Sequence, residues 1–241
     1  MLDYILLEVR RTFRDTSFVV FGIGMPVLMY LLFTNIGSGD GDSADWKVAS
    51  MVGMAAYGAL GASLNGGAGV AADKHFGWLR QLRITPIAPS KVVTGRAISA
   101  SATVLPAIAA VFAAGAFVNG VHLALWQWAA LTLLLWIGAL PFTFLGLGNG
   151  YRLTPQAVGV INPACLVGLA VIGGLWFPVD AFPGWLASLA RYTPTHRFAD
   201  LGWAVSHGSA PGAVTVAVLG GWLLAFGSYA VFSYRRSART V

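Results

Sequence analysis

Six stretches of the chain are apolar and carry no Asp, Glu, Lys, Arg or His: residues 18–36, 48–72, 97–118, 126–147, 157–177 and 213–232. Each is about 20 residues or slightly longer, enough for a helix to cross the hydrocarbon core with its backbone hydrogen bonds met internally. Pro26, Pro106, Pro141 and Pro163 fall inside four of them. Membrane helices tolerate proline, and kinks are expected there. The second stretch holds Gly53, Gly58, Gly61, Gly66, Gly67 and Gly69. Such small residues either let helices approach closely or line a passage, and the pattern leaves both open.

The polar interruptions predict further elements. Residues 1–16 place Leu2, Ile5, Leu6, Val9 and Phe13 on one helical face, with Arg10, Arg11, Arg14 and Asp15 away from it. That is a helix lying in the membrane interface. Residues 73–96 form the longest polar interruption and hold five basic residues against Asp73. Phe76, Leu79 and Leu82 recur at helical spacing beside Trp78, with Arg80, Gln81 and Arg83 as the polar side. Thr85-Pro86 stops this short helix, and Ser90 is a candidate cap for the next. A mere connector has no need to expose Phe76, Trp78 and Leu79. A short helix with an apolar face and a cationic rim suits docking to a soluble partner or to headgroups. Residues 178–212 predict two short helices, the first with Pro183 near its start and the second with Thr195 near its start as cap. Trp185, Leu189, Tyr192, Phe198 and Trp203 are expected there at headgroup depth.

Composition agrees with a single integral membrane domain over residues 1–241. The chain is 57% hydrophobic and 10% charged, against about 25% charged in soluble domains. Net charge is +6, but the cations are dispersed among several loops as flanking anchors, which disposes of a nucleic-acid partner. With six spans both termini share a side. That side carries 12 of the 15 basic residues, leaving Lys47, Arg191 and Arg197 opposite. The bias puts both termini and the 73–96 loop in the cytoplasm of a cell whose inner (plasma) membrane holds the chain. The single cysteine, Cys165, excludes an internal disulfide and a Cys-rich metal site, and packs as a small hydrophobe.

Chemical motifs are tested and fail. No G-x-x-x-x-G-K-[ST] loop occurs, so the chain has no phosphate loop of that kind for ATP. Gly67 to Ala72 fits a loose G-x-G-x-x-A, but inside a span with no preceding strand. Gly61-Ala62-Ser63-Leu64 fits the G-x-S-x of intramembrane serine proteases, yet His75, His122, His196 and His207 all lie outside the spans. Gly39-Asp40-Gly41-Asp42 fits the G-x-G-D of intramembrane aspartyl proteases, but it sits in a loop and no span carries a second carboxylate. With Asp45 these acids form a poor calcium loop, since Met51 stands where the glutamate belongs.

Two stretches carry a resemblance over essentially the whole chain. One is Gly77-Trp78-Leu79-Arg80-Gln81-Leu82, then Thr85-Pro86 and Gly95-Arg96. The other is Gly173-Gly174-Leu175-Trp176-Phe177-Pro178, then Pro183-Gly184-Trp185-Leu186 and Thr193-Pro194. Together, in this order, they resemble the type-2 (exporter-class) permeases of ABC transporters. Trp78 stands where that family has threonine, Thr193 where it has asparagine, and Asp73 stands further from the glycine than the usual glutamate.

The resemblance implies an all-α fold of the type V ABC exporter kind. It has six transmembrane helices, an N-terminal interfacial connecting helix, a cytoplasmic coupling helix and short re-entrant extracellular helices. It implies a permease that pairs with a second copy or paralogue and with two separate ATP-binding cassette subunits. ATP and magnesium would be bound by those partners, with no cofactor, metal or catalytic residue in this chain. Phe76, Gly77, Trp78, Leu79, Arg80, Leu82, Arg83, Thr85 and Pro86 become the coupling residues. Trp176, Phe177, Pro178, Phe182, Pro183 and Trp185 become the extracellular gate. By the same analogy the second and fifth spans face the dimer axis, with Met54, Tyr57, Ser63, Asn65, Asn162, Leu166 and Leu169 lining a passage. That lining has no fixed charge to offset desolvation of an ion, so it suits an amphiphilic or hydrophobic drug, antibiotic or lipid-like molecule, with membrane lipids around it. An ion-coupled secondary multidrug transporter is the alternative, but that class needs an ionisable group inside a span.

Overall fold

The computed structural model describes residues 16, 18–35, 44–75, 96–98, 100–176, 179 and 182–240, and among them it is helical with no strand. The interfacial helix of residues 1–16 lies outside the described residues except for Thr16, and so does the coupling stretch from Phe76 to Pro86. The first apolar stretch opens as a π-helical segment, Phe18–Gly24, and continues as α1, Met25–Asn35. Pro26 has no N–H to give to Gly22, and its ring crowds that carbonyl. A widened turn just ahead accommodates both.

The element at the centre is α2, Ala44–His75. Every residue from Met51 to Leu60 is buried, as expected of a helix apolar on all sides. It packs against α1, α3 (Val104–Phe117), α5 (Leu140–Arg152), α6 (Pro155–Ile172) and α8 (Pro194–Ser206). The fourth apolar stretch is two helices, α4 (Leu125–Gly138) and α5, meeting at Ala139. Pro141 sits in the first turn of α5, so the expected kink is a break. The Ala139 carbonyl accepts the Thr143 backbone N–H at 3.1 Å, and the Thr143 and Ser63 hydroxyls also donate to it, at 3.3 and 3.4 Å.

Among the described residues, four helical stretches are long and apolar enough to cross a membrane: Phe18–Asn35, Leu125–Arg152, Pro155–Ile172 and Ala213–Ser237. The chain is thus a multi-pass membrane protein. Helix α3 is apolar but shorter, with 14 residues. Helix α2, with 32 residues, is diluted by glycine, alanine and serine.

The glycines of α2 divide between the two roles left open by the sequence. A methyl group on Gly67 would overlap the Gly146 carbonyl, and one on Gly150 would overlap that of Gly67, so α2 and α5 meet backbone to backbone. Gly58 and Gly61 face a cavity instead.

Two short helices follow α6. They are α7 (Gly184–Ala190), with Pro183 at its N-cap, and α8. The cap of α8 is Thr193, whose Oγ1 accepts from His196 N at 3.3 Å. This corrects the expectation for Thr195, which is fully buried and donates to the Leu169 carbonyl at 2.7 Å. Trp185, Leu189 and Tyr192 are exposed, as interfacial residues should be. Phe198 is not: it is fully buried against the Phe142 ring, with centroids 5.4 Å apart. Arg197, Asp200 and Thr215 tie α8 to the first turn of α9 (Ala213–Thr240).

Candidate functional site

Along α2, residues 46, 49, 50, 54, 57, 58, 61, 64, 65 and 68 recur at spacings of three and four, with a single step of one repeated between them, so they share one face. That face lines two cavities in file. The inner cavity, about 480 Å³, lies toward the Asp73 end of α2. The π-helical segment and α1 close it with Phe18, Phe21 and Pro26, and α6 closes it with Val158, Asn162 and Leu166. The outer cavity, about 420 Å³, lies toward the Trp46 end and is closed by Phe33, the 174–176 turn, Val179, Arg191 and α8.

An aromatic pair stands between them. Tyr57 lines the inner cavity and Trp176 the outer, and their rings meet edge to face with centroids 5.4 Å apart. Two glycines place Trp176 there. Gly174, at φ 72°, turns the chain at the end of α6. Gly53 has no side chain, and a Cβ there would stand 2.7 Å from the Leu175 carbonyl oxygen. The turn can therefore lie directly on α2.

Among its described lining residues the inner cavity is apolar except for three side chains, Tyr57, Asn65 and Asn162, and none of these residues carries a formal charge. Asn162 is committed to the fold. It donates to the Leu64 carbonyl at 2.7 Å, and its Oδ1 accepts from Asn149 Nδ2 at 2.9 Å. Asn149 Oδ1 in turn accepts from the Tyr229 hydroxyl at 3.0 Å. This buried chain joins α2, α5, α6 and α9. Asn65 makes no such bond, and its carboxamide opens onto the cavity.

The passage residues expected from sequence are thus partly brought together. Tyr57, Asn65, Asn162 and Leu166 share the inner cavity, and Met54 lies on the wall of the outer one. Ser63 faces the break at Ala139 instead, and Leu169 packs in the core beneath Thr195. Of the gate residues, Trp176 forms the partition, while Phe177 and Pro178 lie outside the described residues. Phe182 is half-buried, Pro183 exposed, and Trp185 73% exposed, and none of the three lines either cavity.

The outer cavity was not evident from sequence. Its wall brings Trp46, Trp176 and Trp203 together from three separate segments. Trp203 Nε1 donates to the Ala49 carbonyl at 3.1 Å and Trp46 Nε1 to that of Phe33 at 3.3 Å, which fixes both rings. Trp176 Nε1 is buried without a partner. His196 also lines this wall, with Nδ1 3.3 Å from the Gly173 carbonyl. Burial pushes its imidazole below the ordinary histidine range, and the Asp200 carboxylate partly opposes that shift. The ring is therefore neutral near pH 7, with Nδ1–H donating to Gly173.

At the far end of α2, Asp73 and Arg96 form an ion pair across the base of the stretch expected to couple to a partner. Among the described residues no cluster of His, Cys, Asp and Glu is arranged to hold a metal ion.

Comparison with known proteins gives concordant results. The profile of the ABC-2 type transporter family matches residues 5–202. A Bacillus subtilis (strain 168) protein named "Putative transport permease YvfS" is 26% identical over 224 residues, covering 92% of this chain and 91% of the relative.

Proposed function

The chain belongs to the ABC-2 type transporter family, and on that premise we propose that it is the membrane permease subunit of an ATP-driven exporter. It moves an amphiphilic or hydrophobic molecule, a drug, antibiotic or lipid-like compound, out of the cytoplasm or the inner leaflet. ATP and magnesium are bound by two separate ATP-binding cassette subunits, and a second permease copy or paralogue completes the assembly. The permease spans the plasma membrane six times, with both termini cytoplasmic. In this reading α2 and α3 supply the second and third spans beside the four longer apolar stretches.

The observation that carries the proposal is the file of two cavities on one face of α2, separated by Tyr57 and Trp176. A pump needs a site that is reached from one side, released to the other, and closed between. The uncharged inner lining favours apolar area with a few hydrogen bonds and disfavours an ion stripped of water. Coupling falls to the stretch from Phe76 to Pro86, whose apolar face fits a cleft in a soluble subunit.

The test is reconstitution with a candidate ATP-binding cassette protein, sought first in the neighbouring genes. Burying Trp78 and Leu79 in that protein contributes about 1.5–3 kcal/mol for each side chain. Leu79→Asp is expected to abolish assembly or stimulated ATP hydrolysis while membrane insertion stays intact. Normal assembly and stimulation by the double variant Trp78→Ala, Leu79→Asp would reduce the stretch to a connector. Stimulation by small hydrophilic ions and not by hydrophobic amphiphiles would overturn the substrate class.

A further inference from the structure

We infer that the inner cavity binds an uncharged, elongated molecule with a hydrogen-bonding group at each end of an apolar body; this rests on the passage proposed above. The two ends are set by Tyr57 and Asn65, both on the α2 face that floors the cavity. Tyr57 is only 7% exposed, and its ring is held against Trp176. Its hydroxyl makes no hydrogen bond among the described residues, yet it is not shut away. The buried, partnerless side-chain atoms there belong to Tyr30, Trp176, Arg197 and Ser233. Asn65 is half-buried, and its carboxamide is likewise unpartnered and open to the cavity. Both groups can donate and accept, and unmatched groups at a secluded wall are where polar atoms of a ligand fit. Asn162, the third polar side chain of the described lining, is already bonded to Leu64 and Asn149.

The spacing and the floor define the body between those ends. Eight positions of helix separate Tyr57 from Asn65, a rise of about 12 Å at roughly 1.5 Å per residue. Gly58 and Gly61 lie between them on the floor. A Cβ at Gly58 would stand 3.2 Å from Pro26 Cγ, and one at Gly61 would stand 3.4 Å from Leu166 Cδ2. Bare backbone at both positions keeps open a strip beside Pro26 and Leu166 that side chains would occupy. A slender apolar chain can lie along it, with Phe18 and Phe21 adding apolar surface. The cavity, about 480 Å³, is of the size that holds a small molecule. No described lining residue carries a formal charge, so a charged end would lose its water with nothing to offset the loss. A one-ended amphiphile, or a two-ended molecule too short to span, would leave one of the two groups unmatched.

The experiment uses the full chain, without its ATPase, in nanodiscs of phosphatidylcholine. Titration calorimetry, corrected for partition into empty nanodiscs, compares α,ω-decanediol, decanol, α,ω-butanediol and decanedioate. The decanediol is long enough to span the two groups. It is expected to bind about fivefold more tightly than decanol, the scale of one further neutral hydrogen bond. Tyr57→Phe, which keeps the ring on Trp176, and Asn65→Leu are each expected to weaken the decanediol by about fivefold. Either change should weaken decanol by less than about twofold, because its one hydroxyl can turn to the group that remains. Decanediol binding no more tightly than decanol to the wild-type chain overturns the inference, whatever the variants do. So does tighter binding of decanedioate, which marks an anion site, or a decanediol affinity that either variant leaves intact. Butanediol binding as tightly as decanediol removes the need for a span and overturns it too. A lower thermal midpoint in both variants without any probe would show that the fold or a second copy already meets the two groups, and has the same consequence. Because no ATPase is present, these outcomes are separate from the permease reading, which fails instead when the chain neither assembles with nor stimulates the ATPase.

Discussion

Asp73, in the last turn of α2, and Arg96, the first described residue beyond 76–95, are joined by an ion pair across 23 positions of sequence. Both side chains are largely shielded from solvent, so the pair is worth more than an exposed one. It closes the base of the stretch proposed to dock on the ATPase, and it binds the end of α2 to the approach of the third apolar stretch. A push on that stretch is then felt by α2, the helix that lines both cavities. Asp73→Asn is expected to leave insertion and ATPase binding intact. Substrate-stimulated hydrolysis should fall by roughly tenfold, the scale of a charged hydrogen bond of about 1.5–3 kcal/mol. The exchange Asp73→Arg with Arg96→Asp should recover part of the loss. A double-mutant cycle with no coupling between the positions would show the pair to be idle.

The two cavity asparagines should separate cleanly. Asn162 bonds to Leu64 and Asn149, whereas Asn65 only faces the cavity. Asn162→Leu should therefore lower thermal stability in detergent, by about 1–2 kcal/mol for interhelical bonds in a membrane protein. Asn65→Leu should leave stability unchanged and shift the concentration of amphiphile needed for half-maximal ATPase stimulation. Equal stability losses in both variants would show that Asn65 also serves the fold.

Close contact between α2 and α5 gives a third test. Gly67→Ala sets a methyl against the Gly146 backbone, which cannot rotate aside. Overpacking of this kind costs about 1–3 kcal/mol. The matching change Gly220→Ala meets nothing within 4 Å and should be neutral or slightly stabilising. Thermal unfolding of the two variants in one detergent checks the contrast. An unchanged midpoint for Gly67→Ala would mean that α2 and α5 separate at no cost.

Much of this architecture was legible in the chain, because a bilayer imposes length. Apolar stretches near 18, 126, 157 and 213 reappear as the four long apolar helical stretches, with ends shifted by a few residues. What escaped was tertiary. Thr193 and Thr195 both precede a helical pattern, and only packing shows that Thr195 is buried on α6 while Thr193 caps α8. Phe198 reads as interfacial beside Arg197, yet α8 folds inward and lays it on Phe142. The partners of Asn162 lie 13 and 98 positions away, beyond any local pattern. The outer cavity is a meeting of segments near 46, 176 and 203, and single tryptophans at such distances do not announce a wall.

The partition makes the sharpest prediction. Trp176 reaches Tyr57 because the Leu175 carbonyl rests on the bare backbone of Gly53. A methyl group on Gly53 would face a carbonyl oxygen 2.7 Å away. That is backbone, so relief requires the 174–176 turn to retreat and takes the Trp176 ring with it. The edge-to-face contact, worth about 0.5–1.5 kcal/mol beyond its buried area, is then lost, and the two cavities join. Gly53→Ala is expected to hydrolyse ATP with little dependence on substrate, while export per ATP falls several-fold. Tyr57→Ala should do the same by removing the other ring. Tyr57→Phe keeps the ring and should keep the wild-type export per ATP. Export and hydrolysis measured together in proteoliposomes give the ratio. Wild-type export per ATP in both Gly53→Ala and Tyr57→Ala would mean that the closure between the two sides lies elsewhere in the passage.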